Sequence, residues 1–161
     1  MQQQNLKDDG MKKEVSVSAF LVLAGFASTF ALATEPPCSA AWSKRTQDQC
    51  NAGGTQDMTR CFGTKLREAD KELNKVYAGL KADLVEPSAV TRAQRSWVAY
   101  RNAECTYQSS GYACDSGTSG MCSLSSGICQ MQLTCERVNL LRKHIEAKCN
   151  GCPVRKSDGN E

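Results

Sequence analysis

Ten cysteines in a chain of 161 residues constrain the fold more than any other feature of this sequence. So many thiols indicate a metal-binding domain in a reducing cytosol, but a disulfide framework in an oxidising compartment. The even count favours disulfides, because every cysteine can then be bridged. The positions predicted to form disulfides are Cys38, Cys50, Cys61, Cys105, Cys114, Cys122, Cys129, Cys135, Cys149 and Cys152.

The amino terminus indicates which compartment applies. A pair of lysines precedes an apolar run over residues 15–33, which ends in Ala-Leu-Ala at Ala33, a small-x-small cleavage pattern. We therefore expect residues 1–33 to be a signal peptide cleaved after Ala33, with Met11 as an alternative start. The alternative is a membrane anchor, but no basic stop-transfer residue directly follows the run. We expect a secreted or periplasmic protein with no stable membrane span after cleavage.

Composition argues against several classes of function. The net charge is +3, with 20 basic and 17 acidic residues interspersed, whereas a nucleic-acid-binding protein is expected to carry a basic stripe. The single histidine, His144, excludes most histidine metal sites and makes a catalytic triad improbable. The CxxC pair of Cys149 and Cys152 has neither a second pair at zinc-ribbon spacing nor a βαβ context for redox chemistry. We predict no metal and no cofactor.

Apolar residues recur at spacings of three and four in three segments, which predicts an all-α fold. The predicted helices cover about residues 55–84, 89–107 and 128–149. Pro87 separates the first two, and Ser88 is the predicted N-cap of the second. The first two helices are expected to form an antiparallel hairpin, with the third packed across it.

The segment between the second and third predicted helices, residues 109–127, is rich in Gly, Ser, Thr and Cys and has no period. Such a composition is typical of a loop. A disulfide between Cys114 and Cys122 is expected to staple it. The predicted organisation is a signal peptide (1–33), an N-terminal extension (34–49), a helical domain (50–149) and a polar tail (150–161).

A series of motifs occurs in order between Cys50 and Leu141. They are CN at 50–51, MTRC at 58–61, ADKELNKVY at 69–77, AQRSWVAYRNAEC at 93–105, and CQMQLT at 129–134 followed by Arg137 and Leu141. This order closely resembles the LprI-like lysozyme inhibitor family of exported bacterial domains. The stretch at 93–105 is the most specific part of the resemblance.

The resemblance implies an exported helical domain that has a lysozyme as its protein partner and performs no catalysis. The motif positions favour disulfides between Cys50 and Cys61 and between Cys105 and Cys129. The other six cysteines lie outside the family pattern and are expected to brace the loop and the termini of this member.

Polar motif residues share the edge on which the first two predicted helices face each other, and they allow two interpretations. One is a structural network in which an aspartate–arginine pair is supplemented by amides and a hydroxyl. Its members are Asp70, Asn74, Tyr77, Gln94 and Arg101. Within it, Asp70 is in reach of Arg101, or of Arg95 one turn away. The other interpretation is a binding ledge anchored by Trp97, Tyr100 and Arg101.

No residue is predicted to be catalytic. Asp70 and Glu104 could form a carboxylate pair for glycan hydrolysis, but no sequence context indicates a raised pKa for either. His144 lies in a charged run typical of a solvated face, which argues against its pairing with a nucleophilic cysteine.

We therefore predict a non-enzyme that inhibits a lysozyme by occluding the muramidase cleft. Arg101, or a residue of the 109–127 loop, is expected to meet the two cleft carboxylates. The alternative is a cell-envelope module that binds a glycan or a protein, or packs with a second copy, without inhibiting anything. The sequence does not indicate the oligomeric state or the class of lysozyme.

Overall fold

Four α-helices build the part of the chain that the computed structural model describes, residues 35–112, 114, 120–147 and 150–159. They are α1 (Ala40–Cys50), α2 (Thr55–Asp83), α3 (Ser88–Ser109) and α4 (Gly120–Glu146). The only strand-like pairing among these residues is an isolated bridge between Leu84 and Arg155. The predicted all-α fold is confirmed. The predicted signal peptide, residues 1–33, lies outside the described residues.

The first two predicted helices correspond to α2 and α3, with boundaries shifted by one or two residues. The predicted cap is different. Ser88 is the first residue of α3, and its backbone N–H donates to Glu86 Oε1 at 3.0 Å. This hydrogen bond, the largest of several causes, lowers the pKa of the Glu86 carboxyl. The negative charge also lies beside the positive end of the α3 dipole.

Helix α1 lies in the segment predicted to be an N-terminal extension. Its N-cap is Ser39, whose side chain accepts a hydrogen bond from the backbone N–H of Trp42 at 3.1 Å. The buried residues are Trp42, Thr46 and Cys50, one per turn. Only one of these three is a large apolar residue, so the apolar periodicity that marks a helix is nearly absent from this short segment.

Helix α4 begins at Gly120, whereas the sequence predicted a loop up to Gly127 and a helix from near Ile128. The extra turns are rich in Gly and Ser, which are poor helix formers. Packing stabilises them, because Leu124 is buried among the core residues. The helix ends at Glu146, a few residues before its predicted end.

Helices α2 and α4 form the most extensive helix pair, and they run parallel. Near their N-terminal ends, the Thr55 hydroxyl lies 3.9 Å from the Met121 sulfur. Further along both helices, Arg142 Nη2 donates to Glu72 Oε1 at 2.7 Å. Helix α4, which corresponds to the third predicted helix, therefore packs chiefly on α2 and less extensively on α3.

Helix α3 runs antiparallel to α2, in the direction predicted for the hairpin. The Tyr77 hydroxyl donates to Thr91 Oγ1 at 3.3 Å, near the connection between the two helices. Towards their other ends, Arg101 Nη1 lies 2.7 Å from Asp70 Oδ1. Among the described residues, α3 packs more extensively on α4 than on α2.

A single apolar core lies between the helices. The apolar residues that recur every three or four positions along α2 contribute to it. Its large buried apolar members are Trp42, Phe62, Leu73, Leu80, Leu84, Leu124, Met131, Val138 and Leu141. Helix α3 contributes only partly buried side chains, chiefly Val90 and Trp97, to this core. The one-sided burial leaves most of the surface of α3 exposed.

Disulfides link every helix to a neighbour. The bonds are Cys38–Cys135, Cys50–Cys61, Cys105–Cys129 and Cys114–Cys122. The last three are the pairings that the sequence led us to expect. The first, which joins the residues before α1 to the middle of α4, was not predicted. Cys152 is disulfide-bonded as well.

The segment predicted to be a polar tail folds back on the end of α2. The backbone N–H of Val85 donates to the carbonyl of Val154 at 3.1 Å, and that of Lys156 donates to the carbonyl of Asp83 at 2.8 Å. Arg155, which is 9% exposed, donates to the carbonyls of Ile145 and Ala147 near the end of α4. None of the described helices combines the length and hydropathy needed to cross a membrane.

Candidate functional site

Arg101 occupies the point where α2, α3 and α4 meet. Its Nη1 donates to Asp70 Oδ1 at 2.7 Å and to Thr134 Oγ1 at 2.8 Å, so one nitrogen links all three helices. The Arg101 side chain is only 13% exposed. Its Nε is buried and has no hydrogen-bond partner among the described residues. The guanidinium is therefore committed to holding the helices together.

Trp97 lies beside two guanidinium groups. The Cζ atoms of Arg101 and Arg137 lie 5.2 Å and 5.9 Å from the centre of its ring, both within cation–π range. Arg137 Nε donates to Gln94 Oε1 at 3.0 Å, which joins α4 to α3. Partial burial lowers the pKa of Arg137 from its usual value, because no carboxylate offsets the lost hydration.

The predicted polar network is assembled only in part. Asp70 and Arg101 are paired, and Gln94 accepts from Arg137, whereas Tyr77 bonds with Thr91 instead. Asn74 is exposed and makes no side-chain hydrogen bond to a described residue. Two members that we had not assigned to the network, Thr134 and Arg137, both follow Cys129 in the last motif, and that motif was the signal that could have identified them.

The three predicted binding residues point in different directions. Trp97 and Arg101 are partly buried against α2 and α4, whereas Tyr100 is 54% exposed. Tyr107, two turns further along, is 75% exposed. Both tyrosines lie on a surface that we call the outer face of α3. Its residues lie on one side of the helix and are all exposed: Arg92, Ser96, Ala99, Tyr100, Ala103 and Tyr107.

The two carboxylates considered for glycan hydrolysis are engaged separately. Asp70 pairs with Arg101, and Glu104 Oε1 accepts from Gln108 Nε2 at 2.9 Å. Within the described ranges, no group of three or more His, Cys, Asp or Glu side chains is arranged to hold a metal ion. The arrangement at this site links helices and presents a surface.

The helices and the polar network define a class, a disulfide-linked all-α domain whose most specific sequence motif builds an interhelical junction. The family model described as "Lysozyme inhibitor LprI" matches residues 41–141. The chain belongs to this family, which is a family of inhibitors and not of enzymes. No curated protein and no solved structure matched the chain.

The matched range begins one residue into α1 and ends within α4, so it covers nearly all of the four-helix bundle. It also contains both ends of the Cys50–Cys61 and Cys105–Cys129 disulfides. The segment from residue 150 onward, which folds against α2, lies beyond it. The family domain therefore coincides with the helical bundle.

Proposed function

We propose that this protein is an exported inhibitor that blocks the cleft of a lysozyme by non-covalent contact. The observation that supports this most strongly is the family match over nearly all of the helical bundle. A disulfide-linked domain of this kind is typical of an extracellular or periplasmic protein. The signal peptide would direct export and would be cleaved after Ala33 during translocation.

The outer face of α3 is the surface that we assign to the lysozyme. Tyrosine is enriched among residues that dominate binding energy at interfaces. Tyr100 and Tyr107 are the exposed large hydrophobic side chains of this face. The residues between them include Ala103, which is small enough to allow close approach of a partner. Trp97 and Arg101 support this face from behind.

Rigidity is the second argument for this surface. The Cys105–Cys129 disulfide and the Arg101 contacts fix α3 on α4 at two points. A preorganised helix loses little conformational entropy when it binds. The polar network and the binding surface are therefore two aspects of one arrangement, in which the inner side of α3 positions the outer side.

A residue other than Arg101 is needed to meet the carboxylates of the lysozyme cleft. Muramidase chemistry depends on two carboxylates, and a basic side chain on the inhibitor would complement them. Arg101 is occupied by Asp70 and Thr134. Arg92 is exposed on the outer face of α3, where, after the hydrogen bonds from the first residue of α3, its charge contributes to lowering the pKa of Glu86 without forming an ion pair to a described residue within 4.0 Å. We assign the role to Arg92.

A lysis assay tests the inhibitory function. The oxidised protein is titrated against c-type, g-type and i-type lysozymes acting on bacterial cell walls. We expect a stoichiometric loss of activity for at least one class, and we expect reduction of the disulfides to abolish it. No loss with any class at about 50 µM protein would contradict the proposal and favour an envelope-binding module.

A second experiment tests the surface. We expect the pair of substitutions Tyr100→Ala and Tyr107→Ala to weaken inhibition by at least about tenfold, as loss of interface anchors does. The matched control is Leu140→Ala, which truncates an apolar side chain that is 44% exposed on a different helix, α4. If the double tyrosine variant inhibited as strongly as the Leu140→Ala control, the outer face of α3 would not be the contact surface.

A further inference from the structure

A cavity of about 270 Å³ lies where the C-terminal segment covers the junction of α2, α3 and α4. Its walls are mostly apolar and include Leu80, Leu84, Val90, Leu141 and Pro153. The volume is close to the lower end of the range for small-molecule sites in proteins. It lies outside the outer face of α3, so the proposed inhibition does not use it.

The described ionisable side chains that line this cavity are all of one kind. Every titratable side chain among the described residues that line it is a base: Arg137, His144 and Arg155. An apolar pocket with a few convergent polar groups of one sign is suited to a ligand with an apolar body and an opposite charge.

Arg155 is not the free cation. It is 9% exposed, donates to the carbonyls of Ile145 and Ala147, and has Asp158 at 3.9 Å. These contacts fix the C-terminal segment against α4 and so form one wall of the cavity. His144 is exposed on the last turns of α4.

Arg137 is the base of this cavity that has hydrogen-bond donors without acceptors among the described residues. Its Nε donates to Gln94, while its terminal nitrogens make no hydrogen bond to a described residue. No described carboxylate lies within 4.0 Å of it. A partly buried guanidinium without an anion is costly, and a ligand carboxylate that accepts two parallel hydrogen bonds would offset that cost.

We propose that this cavity binds a single-chain amphiphile with a carboxylate head, such as a medium-chain fatty acid. The alkyl chain lies in the cavity and contacts its apolar walls on α2 and α3. The carboxylate accepts hydrogen bonds from the terminal nitrogens of Arg137. The assignment rests on charge complementarity and cavity size, and it is independent of lysozyme inhibition.

Isothermal titration calorimetry of the oxidised protein tests the site with three probes that share one chain length: decanoate, decanol and decyltrimethylammonium. We expect one decanoate to bind per chain, at least about tenfold more tightly than either other probe. Equal binding of the three, or no binding of decanoate at about 1 mM, would overturn the proposal.

Two variants locate the ligand. Arg137→Met should lower decanoate affinity by at least about tenfold while leaving decanol unchanged, because only the charged contact is lost. Ala93→Phe, which fills the cavity from exposed α3, should abolish binding of decanoate. The control is Ala78→Phe, an exposed site on α2 away from the cavity, and it should bind as the parent does.

The variants keep the proposal falsifiable even if Arg137 contributes to folding. Far-UV circular dichroism checks that each variant retains its helices. If Ala93→Phe is folded and binds decanoate like the parent, the ligand is elsewhere and the proposal fails. If folded Arg137→Met binds decanoate like the parent, the carboxylate does not meet Arg137, and the proposal fails as well.

Discussion

Arg101 connects sequence to structure at the scale of the single residue. Its guanidinium is nearly buried and reaches both an aspartate and a threonine hydroxyl. Burial makes such a pair asymmetric in energy, because removing one partner leaves the other charge uncompensated. We therefore expect Asp70 and Thr134, which both accept hydrogen bonds from Arg101, to contribute to the stability of the fold.

We predict that Asp70→Asn lowers the free energy of unfolding by about 1–3 kcal/mol, because the charge-assisted hydrogen bond from the nearly buried Arg101 guanidinium becomes one to a neutral amide. Urea unfolding measures this directly. The control is Asp57→Asn, whose pair with Arg60 is 3.5 Å long with both side chains more than 60% exposed. That change should stay below about 0.5 kcal/mol, and equal losses for the two variants would contradict this account.

Glu86 gives a prediction about pH. Its folded-state pKa is lowered, first by the hydrogen bond from the Ser88 backbone and then by the Ser88 side chain. A lowered folded pKa contributes stability above the unfolded pKa, and that contribution is lost as pH falls through the folded pKa. An NMR titration should give a lower Glu86 midpoint in the folded protein than in urea. Identical midpoints would show that the Ser88 contact is absent in solution.

At the scale of the elements, apolar periodicity predicted α2 well because its core-facing residues recur every three or four positions, and Pro87 marked where α3 begins. Periodicity failed for α1, whose buried positions include Thr46 and Cys50, and for the start of α4, where Gly and Ser precede Leu124. In both places tertiary packing and disulfides stabilise a helix that local propensity does not favour. The parallel pairing of α2 with α4 likewise depends on contacts between residues far apart in sequence, which local periodicity does not reveal.

This pairing predicts where truncation is costly. Leu73→Ala in α2 should lower the free energy of unfolding by about 2–5 kcal/mol, because Leu73 is buried in the core. Leu140→Ala in α4 removes the same atoms from a side chain that is 44% exposed and should change it by no more than about 0.5 kcal/mol. Chemical denaturation compares the two. A larger loss at Leu140 would contradict the observed orientation of α4.

The disulfides give a second prediction for the elements. Replacing Cys38 and Cys135 with alanine should lower the unfolding free energy by about 2–4 kcal/mol. Replacing Cys114 and Cys122 should cost less, because those residues are 8 apart in sequence rather than 97. Thermal unfolding of the two double variants provides the comparison. Equal losses would mean that the other bridges already remove the chain entropy of the long loop.

At the scale of the whole molecule, the sequence predicted the class of fold and the family because both depend on motifs that are local. The division of α3 into an inner and an outer side was not predictable in the same way. Trp97, Tyr100 and Arg101 are neighbours in sequence, yet only Tyr100 faces outward. Which of them can reach a partner depends on where α2 and α4 lie, and long-range packing sets that position.

Competition at the lysozyme cleft tests the central claim most directly. A chito-oligosaccharide that occupies the cleft is added at increasing concentration while binding of the oxidised protein to lysozyme is measured. Occlusion predicts that the apparent Kd of the protein rises in proportion to the oligosaccharide, and that the Tyr100→Ala and Tyr107→Ala double variant binds weakly throughout. An apparent Kd that stays constant at saturating oligosaccharide would contradict the account, because the protein would then bind lysozyme outside its cleft.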